Sequence, residues 1–519
     1  MIVILDFGSQ TCELIARRVR ELEVYSEVLS FDVPASVIKE KGAEGIILSG
    51  GPSSCYEEGS PLPDPEIFKL GIPILGICYG MQLTQQMLGG KVEADGSTRE
   101  YGKARFKANT KSLLFTGLLE DFVAWMSHGD SVTKLAPGFE VVGATDSLKN
   151  GAVENKKLNF YGLQFHPEVS HTEQGRDIIR NFVFVICKAK ADWTMKDYLK
   201  RAITDVQKTV GNKKVLLGLS GGVDSTTVAA LLHQAIGGQL ICMFINQGFM
   251  RKGECERIIT MIEKYFSINL VYVDASKRFF DKLKGVTDPE EKRKIIGTEF
   301  VRTFEEESKK IGHFDFLAQG TLYPDVNESA AKPSKHNNKW YVSKAAVKIK
   351  SHHNVGGLPD DMKFELIEPL RMLFKDEVRK LGRELNMHDE IIYRQPFPGP
   401  GLAIRILGEV TPERVAILQD ADKIVMDEIR AADLYRKVWQ SFAVLLPVKS
   451  VGVMGDQRTY QNTIAVRCVT SDDAMTAKWA HLPYEVLEKI SSRIINEVKG
   501  VNRVVYDISS KPPATIEWE

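Results

Sequence analysis

The sequence predicts an α/β protein of two parallel-sheet units followed by a smaller α+β segment, and three observations predict it. Over residues 1 to about 187, short apolar runs alternate with helical patterns. The alternation restarts near Trp193. At Gln395-Pro-Phe-Pro-Gly-Pro-Gly401 a Pro/Gly cluster, which can continue neither helix nor strand, changes the texture of the chain. A length of 519 residues exceeds what one hydrophobic core serves and, at roughly 150 residues per domain, calls for about three domains. The expected divisions are 1–189, 190–394 and 395–519.

In order, Ile2 to Leu5, Gly45 to Ser49 and Ile72 to Ile77 read as buried parallel strands, because each is apolar throughout and ends in a Gly-rich or polar turn. From Trp193 a helical stretch to Val210 leads into the strand Lys213 to Leu219, a Gly pair, and a helix rich in Val, Ala and Leu. Leu240 to Ile245 and Leu270 to Val273 repeat the pattern. Beyond the Pro/Gly cluster, the alternating run Asn462 to Val469 and the amphipathic stretch Pro483 to Val498 give an α+β texture.

Composition excludes several classes. With 43% hydrophobic and 26% charged residues, the chain is neither a disordered tail nor a collagen nor a disulfide scaffold. Lys plus Arg (68) balances Asp plus Glu (68), so bulk charge predicts no nucleic-acid or membrane partner. Seven cysteines without Cys-x-x-Cys spacing suggest neither a disulfide framework nor a zinc knuckle, and a reducing cytoplasmic setting is expected. The strand-like opening has no basic stretch before it, and no apolar run reaches the ~18 residues of a membrane span.

Gly76-Ile-Cys78-Tyr-Gly80 lies between a buried strand and the helix-like Met81 to Leu88. Cys78 is therefore expected on a tight elbow, with a helix N-terminus that favours negative charge. A cysteine after an apolar strand is ordinarily an inert core residue, but Gln164-Phe-His166-Pro-Glu168 changes the reading. In an extended segment residues two apart share a face, so Glu168 can hold one imidazole nitrogen of His166 while the other faces a thiol. Nucleophile, base and orienter are then Cys78, His166 and Glu168. Ser49-Gly50-Gly51-Pro52 offers unobstructed N–H groups, and Gly51 with Tyr79 is the expected oxyanion hole. Together these motifs resemble the class I glutamine amidotransferases over about residues 1–189. The resemblance implies hydrolysis of glutamine to glutamate and ammonia through a thioester, with Gln82 and Ser127-His128-Gly129-Asp130 holding glutamine.

Leu219-Ser-Gly-Gly-Val-Asp-Ser-Thr226 follows a strand and opens a helix, where successive N–H groups and the helix dipole cradle an anion. The Walker A pattern is absent, so transfer of a γ-phosphate is not expected. The motif resembles the pyrophosphate loop of N-type ATP pyrophosphatases, which cleave ATP between α and β phosphates. By that resemblance Ser220, Gly221, Gly222, Val223, Asp224, Ser225 and Thr226 bind ATP, with Asp224 beside Mg²⁺. Lys375 and His353 are further candidates for ATP. Two such sites on one chain describe nitrogen transfer from an amide to an adenylylated carbonyl.

Lys292-Arg-Lys-Ile-Ile-Gly297, Gln319 to Asp325, Lys350 to Asn354, Pro396 to Arg405 and Lys511-Pro-Pro-Ala-Thr-Ile-Glu-Trp-Glu519 resemble, in order, the GMP synthase family. The resemblance implies xanthosine 5′-monophosphate (XMP) as acceptor, held by Arg293, Lys511, Thr515, Ile516 and Glu517. It also implies a homodimer paired through the segment from about 395. Without it, Lys292 to Lys294 reads as a solvated helix face. Three features depart from the family pattern: Asn246 where an Asp is common, Asn327 where an apolar residue is usual, and the polar stretch 332–341. Two other classes stay open on the residues alone: a different adenylylating ligase, such as an NAD synthetase or a tRNA-thiolating enzyme, and a binding protein that keeps the folds without turnover.

Overall fold

The computed structural model describes residues 1–94, 99–266, 268–325, 365–471 and 476–519, with the backbone alone at 342–343. Asn327, His353, the stretch 332–341 and the Lys350 to Asn354 motif lie outside the described residues. The chain divides into two compact units, Met1–Asp197 and Tyr198–Glu519.

Among the described residues, nine strands form the main sheet of the first unit, in the order Ser26–Ser30, Ile2–Asp6, Gly45–Leu48, Ile74–Ile77, Phe160–Leu163, Ala152–Asn155, Glu140–Thr145, Glu100–Ala108 and Asp121–His128. The first five run parallel, and three of them are the apolar runs expected as buried strands; Ile2, Val3, Ile4 and Leu5 are all fully buried. The last four add antiparallel strands to the expected parallel sheet. The reason is visible in Asp121–His128, where Phe122, Ala124, Met126 and His128 are buried and alternate with more exposed residues, the pattern of a strand covered on one face.

Ile74–Ile77 sits between two parallel neighbours, so the chain leaves the sheet abruptly and enters the helix Tyr79–Met87. Cys78 turns that corner with φ 48° and ψ −104°, a conformation L side chains rarely adopt. The corner closes only because its neighbours lack side chains. A Cβ on Gly76 would lie 2.8 Å from the Gly80 carbonyl, and one on Gly80 would run into the Leu48 carbonyl.

In the second unit, Asn269–Asp274, Leu240–Asn246, Val215–Gly218, Phe316–Ala318 and Glu365–Ile367 form a parallel sheet, edged by antiparallel Val342–Ser343. A second sheet pairs the long hairpin Gln440–Met454 and Gln457–Thr470 with Lys478–Trp479 and, in parallel, Val501–Tyr506. The helices Pro412–Ala431 and Tyr484–Glu497 accompany it, giving the expected α+β segment. The core is continuous between the two sheets: Leu216, Met243 and Phe279 share one apolar cluster with Leu402, Leu418, Leu445, Ile464 and Ile490. The Pro/Gly cluster bridges them, with Leu402 N–H donating to the Phe249 carbonyl at 2.8 Å.

Gly76→Ala is expected to destabilise the first unit by about 2 kcal/mol, because the new methyl group meets rigid backbone at the elbow. Denaturant unfolding followed by hydrogen exchange in peptides of the first unit reads this, and an unchanged midpoint would show that the elbow can relax.

Candidate active sites

At the first site the elbow sets the sulfur and the sheet brings its partners. Cys78 N–H donates to the Leu163 carbonyl at 2.7 Å, and His166 N–H to the Trp125 carbonyl at 3.0 Å. His166 Nδ1 lies 2.8 Å from Glu168 Oε1, so the carboxylate accepts a hydrogen bond from Nδ1–H and leaves Nε2 for the thiol. The Cys78 sulfur lies beside the imidazole and favours its charged form. A Cβ built on Gly50 would lie 3.2 Å from His166 Cε1 and 3.9 Å from Cys78 Cβ, so the Ser49–Pro52 loop closes over thiol and imidazole together. Gly51 likewise has no room for a side chain, since its Cβ would fall 2.7 Å from the Phe7 carbonyl and 3.3 Å from the Tyr79 ring. Tyr79 opens its helix, where the N–H has no helical acceptor.

Burial alone would lower the pKa of His166, but the Glu168 carboxylate and the Cys78 sulfur outweigh it and hold the imidazole well above its ordinary value. Burial works against the Glu168 carboxylate as well, yet His166 and a 2.7 Å hydrogen bond from Thr11 Oγ1 hold it below the usual carboxylate range. Thr11 and Arg18, whose Nε donates to the Glu168 carbonyl at 2.9 Å, were not legible in the sequence, because both are far from Glu168 along the chain.

The expected glutamine contacts surround the same sulfur. Cys78 Sγ donates to the Ser127 carbonyl at 3.7 Å. Gln82 Nε2 donates to the Asp130 carbonyl at 2.7 Å and to Gln164 Oε1 at 3.2 Å. Gln164 Nε2 in turn lies 3.6 Å from Cys78 Sγ. His128 Nδ1 is 3.0 Å from the Asp130 carbonyl, while its Nε2 lies 3.6 Å from Glu100 Oε2. Burial lowers the pKa of His128 despite both partners. Gly129 packs beside the Tyr101 hydroxyl, and the Asp130 carboxylate accepts from Tyr56 at 3.2 Å. Gln164 was missed although the signal was available: it precedes His166 by two residues, the spacing that identified Glu168.

In the second unit Gly221, at φ 71°, swings the chain from the strand Val215–Gly218 into the helix Val223–Ile236. Ser220 and Ser225 hydroxyls stand 2.9 Å apart, and Ser220 Oγ also accepts from Gly222 N–H at 3.3 Å. Thr226 N–H returns to the Gly222 carbonyl at 3.1 Å, and Val223 and Thr226 face the core. Asp224 Oδ2 pairs with Lys375 Nζ at 2.5 Å, while Asp224 Oδ1 is buried with no hydrogen-bond partner. Arg394 was missed by sequence: largely buried, it donates to the Gly221 carbonyl and, at 2.6 Å, to Glu254. Asn246, neutral where the resemblance led us to expect an Asp, is used structurally. Its Oδ1 accepts from Gly248 N–H at 2.9 Å and its Nδ2 donates to the Tyr272 hydroxyl at 3.1 Å.

The C-terminal tail is anchored by buried cations. Arg405 holds Glu517 through two hydrogen bonds of 3.0 and 2.8 Å, and Gln440 adds a third at 2.7 Å. Arg467 donates to the carbonyls of Thr515 at 3.0 Å and Ile516 at 3.3 Å. Lys511 pairs through its backbone with Ala477. The reading of Lys292 to Lys294 as a solvated face is corrected at its first residue. Lys292 is fully buried, bound to the Ile406 carbonyl at 2.7 Å and to Glu519 at 2.5 Å, because it shares the core-facing side of its helix with Ile296. Neighbouring Arg293 donates to the Glu519 backbone oxygen.

Glu168→Gln is expected to lower the pH at which the His166 imidazole loses its proton, since the carboxylate favours the imidazolium form. Ring-proton NMR titration reads it, and an unmoved titration would remove Glu168 from the orienting role.

Family profiles match the chain in three places: Glutamine amidotransferase class-I over residues 3–186, NAD synthase over 195–293, and GMP synthase C terminal domain over 427–518. Full-length relatives are also found. The chain is 60% identical over 518 residues to a GMP synthase [glutamine-hydrolyzing] of Prochlorococcus marinus (strain NATL2A), covering 100% of this chain and 98% of the relative. It is 59% identical over 519 residues to that of Thermosynechococcus vestitus, covering 100% and 96%. It is 58% identical over 518 residues to that of Brachyspira hyodysenteriae, covering 100% and 99%. With the thiol–imidazole–carboxylate row in one unit, the phosphate loop in the other and this similarity from end to end, the chain belongs to the glutamine-hydrolysing GMP synthase family.

Proposed function

We propose that residues 1–189 release ammonia from glutamine, that 190–394 adenylylate XMP with ATP, and that 395–519 complete the XMP site and pair two chains. One observation carries the reading: a single chain holds both a cysteine on a strained elbow against a carboxylate-bound imidazole and a strand-to-helix phosphate loop. The Cys78 thiolate attacks the carboxamide carbon of glutamine, and the N–H groups of Gly51 and Tyr79 receive the oxyanion. His166 passes its proton to the departing ammonia and then activates the water that cleaves the thioester to glutamate. Gln82 and Ser127 to Asp130 form the glutamine pocket, supported by their closeness to the sulfur.

At the second site the XMP carbonyl oxygen attacks the α-phosphorus of ATP and pyrophosphate leaves. Ammonia then attacks the activated carbon, AMP departs and GMP forms. Ser220 to Thr226 cradle the phosphates, with Arg394 bracing the Gly221 carbonyl so that the loop keeps its shape. Asp224, whose Oδ1 is buried without a hydrogen-bond partner, would hold a hard divalent cation, and such an ion would supply positive charge against the leaving pyrophosphate. Arg293 and Lys511 supply positive charge to the XMP phosphate, while Thr515, Ile516 and Glu517 meet the nucleotide from the anchored tail.

Pairing of two chains is supported by the hairpin Gln440–Met454 and Gln457–Thr470, whose far end leaves Val451, Val453 and Tyr460 exposed. A cytoplasmic setting is supported by seven free cysteines and by the absence of any helix, among the described residues, long and apolar enough to cross a membrane.

The test is a coupled assay with XMP, ATP, Mg²⁺ and glutamine in which AMP, pyrophosphate and GMP are separated by chromatography. One AMP per GMP is expected, and AMP release only with another acceptor would overturn XMP. Cys78→Ala is expected to abolish synthesis from glutamine while ammonium salts still support it; failure of ammonia to rescue would break the two-site scheme. Asp224→Ala is expected to cut synthesis from either nitrogen source by at least about a hundredfold while glutamine hydrolysis persists. Retained synthesis would take Asp224 out of the metal site.

A further inference from the structure

Gln164 is fully buried on the strand side of the first site, its backbone N–H fixed on the Gly151 carbonyl at 2.9 Å. Its carboxamide bridges two groups already assigned: Nε2 lies 3.6 Å from Cys78 Sγ, and Oε1 accepts from Gln82 Nε2 at 3.2 Å. The direction of this bridge follows from donor and acceptor chemistry. The Asp130 carbonyl can only accept, so the group that Gln82 presents to it at 2.7 Å must be its NH₂. The second hydrogen of that NH₂ then meets Gln164, which must answer with oxygen. The NH₂ of Gln164 is thereby turned toward the sulfur; the flipped amide would set two donors against each other and leave the sulfur facing an acceptor.

We infer that Gln164 is a further catalytic residue of the first site, its carboxamide N–H holding the Cys78 sulfur and stabilising it as a thiolate, both as nucleophile and as leaving group. The inference rests on the reading of Cys78 as nucleophile. The Ser127 carbonyl, 3.7 Å from the sulfur, is an acceptor, which suits the thiol and not the thiolate. Among the described residues, the titratable groups facing this cluster are His166, with Glu168 behind it, and His128. His166 gives up or takes the proton in each half-reaction, whereas the Gln164 donor stays in place throughout. When the thiol loses its proton to His166, the N–H···S contact becomes charge-assisted. When the thioester breaks, the same contact receives the returning electron pair.

The test compares wild type with Gln164→Met, which keeps bulk and removes the donor, and Gln164→Glu, which keeps shape and replaces the donor with an acceptor. The readouts are kcat/KM for glutamine against pH and the rate of Cys78 alkylation by iodoacetamide, quantified on the Cys78 peptide by mass spectrometry. Gln164→Met is expected to lower kcat/KM about tenfold and to move the acid limb of both profiles up by about one pH unit. The limiting alkylation rate at high pH should match wild type, and Gln164→Glu should move the limb further in the same direction. A residue needed only for packing would leave the limb where it is. An unmoved acid limb in either variant, whatever happens to kcat/KM, overturns the inference. Cys78→Ala runs alongside: if it still hydrolyses glutamine, the nucleophile reading itself fails, whereas loss in Cys78→Ala with unmoved limbs in the Gln164 variants defeats the inference alone.

Discussion

Parallel strands end with backbone groups that must find new partners as soon as the chain leaves the sheet, and both reactive ends of this molecule are built on that constraint. Ile74–Ile77 and Val215–Gly218 each lie between two parallel neighbours and each gives way to a helix within a few residues. The two corners are solved differently. At Cys78 the corner residue is the proposed nucleophile, a cysteine at φ 48° for which its neighbours Gly76 and Gly80 make the space. At the phosphate loop only backbone N–H groups are needed, so the corner falls to Gly221 at φ 71° without strain.

Charge buried at the C-terminal tail follows a second logic. Arg405, Arg467 and Lys292 are all fully enclosed, a costly state for a cation unless it is paired. Each is paired with the tail: Arg405 with Glu517, Arg467 with the carbonyls of Thr515 and Ile516, and Lys292 with Glu519. Arg405 also stacks 4.0 Å from the centre of the Phe442 ring, so the strand beneath helps to orient the guanidinium. Thr515, Ile516 and Glu517 are thus held in a set geometry by buried cations. The same economy appears at Arg394, whose burial is matched by Glu254 and by the Gly221 carbonyl it braces.

Much of the first site was legible because its rules are local. Cys78 was marked by the glycines on either side, and Glu168 by its two-residue spacing from His166, and the hydrogen bond between Glu168 and His166 is present at 2.8 Å. Gln164 obeyed the same spacing and escaped notice only because an amide is an unremarked residue until something polar stands opposite. Thr11 carried no such mark, since its 2.7 Å bond to Glu168 joins two segments, after Ile2–Asp6 and after Phe160–Leu163, that nothing in the local sequence connects. The antiparallel half of the first sheet was likewise hidden, because Glu100–Ala108 and Asp121–His128 are half-covered strands whose neighbours are set by sheet order.

What the sequence by itself determined were the features that depend on residues adjacent in the chain: the two α/β units and the α+β segment, the elbow, the imidazole and its carboxylate, and the glycine-rich turn into a helix. Apolar periodicity and the steric demands of a sharp corner act over a few residues, so they can be read from a few residues. Tertiary structure alone decided which buried charge meets which partner. Lys292 could have faced water on an isolated helix, and it became a buried anchor because the packed helix turned that side inward toward Ile406 and Glu519. Electrostatic pairing in a low-dielectric interior depends on distance in space, and distance in space is what the linear order of residues leaves open.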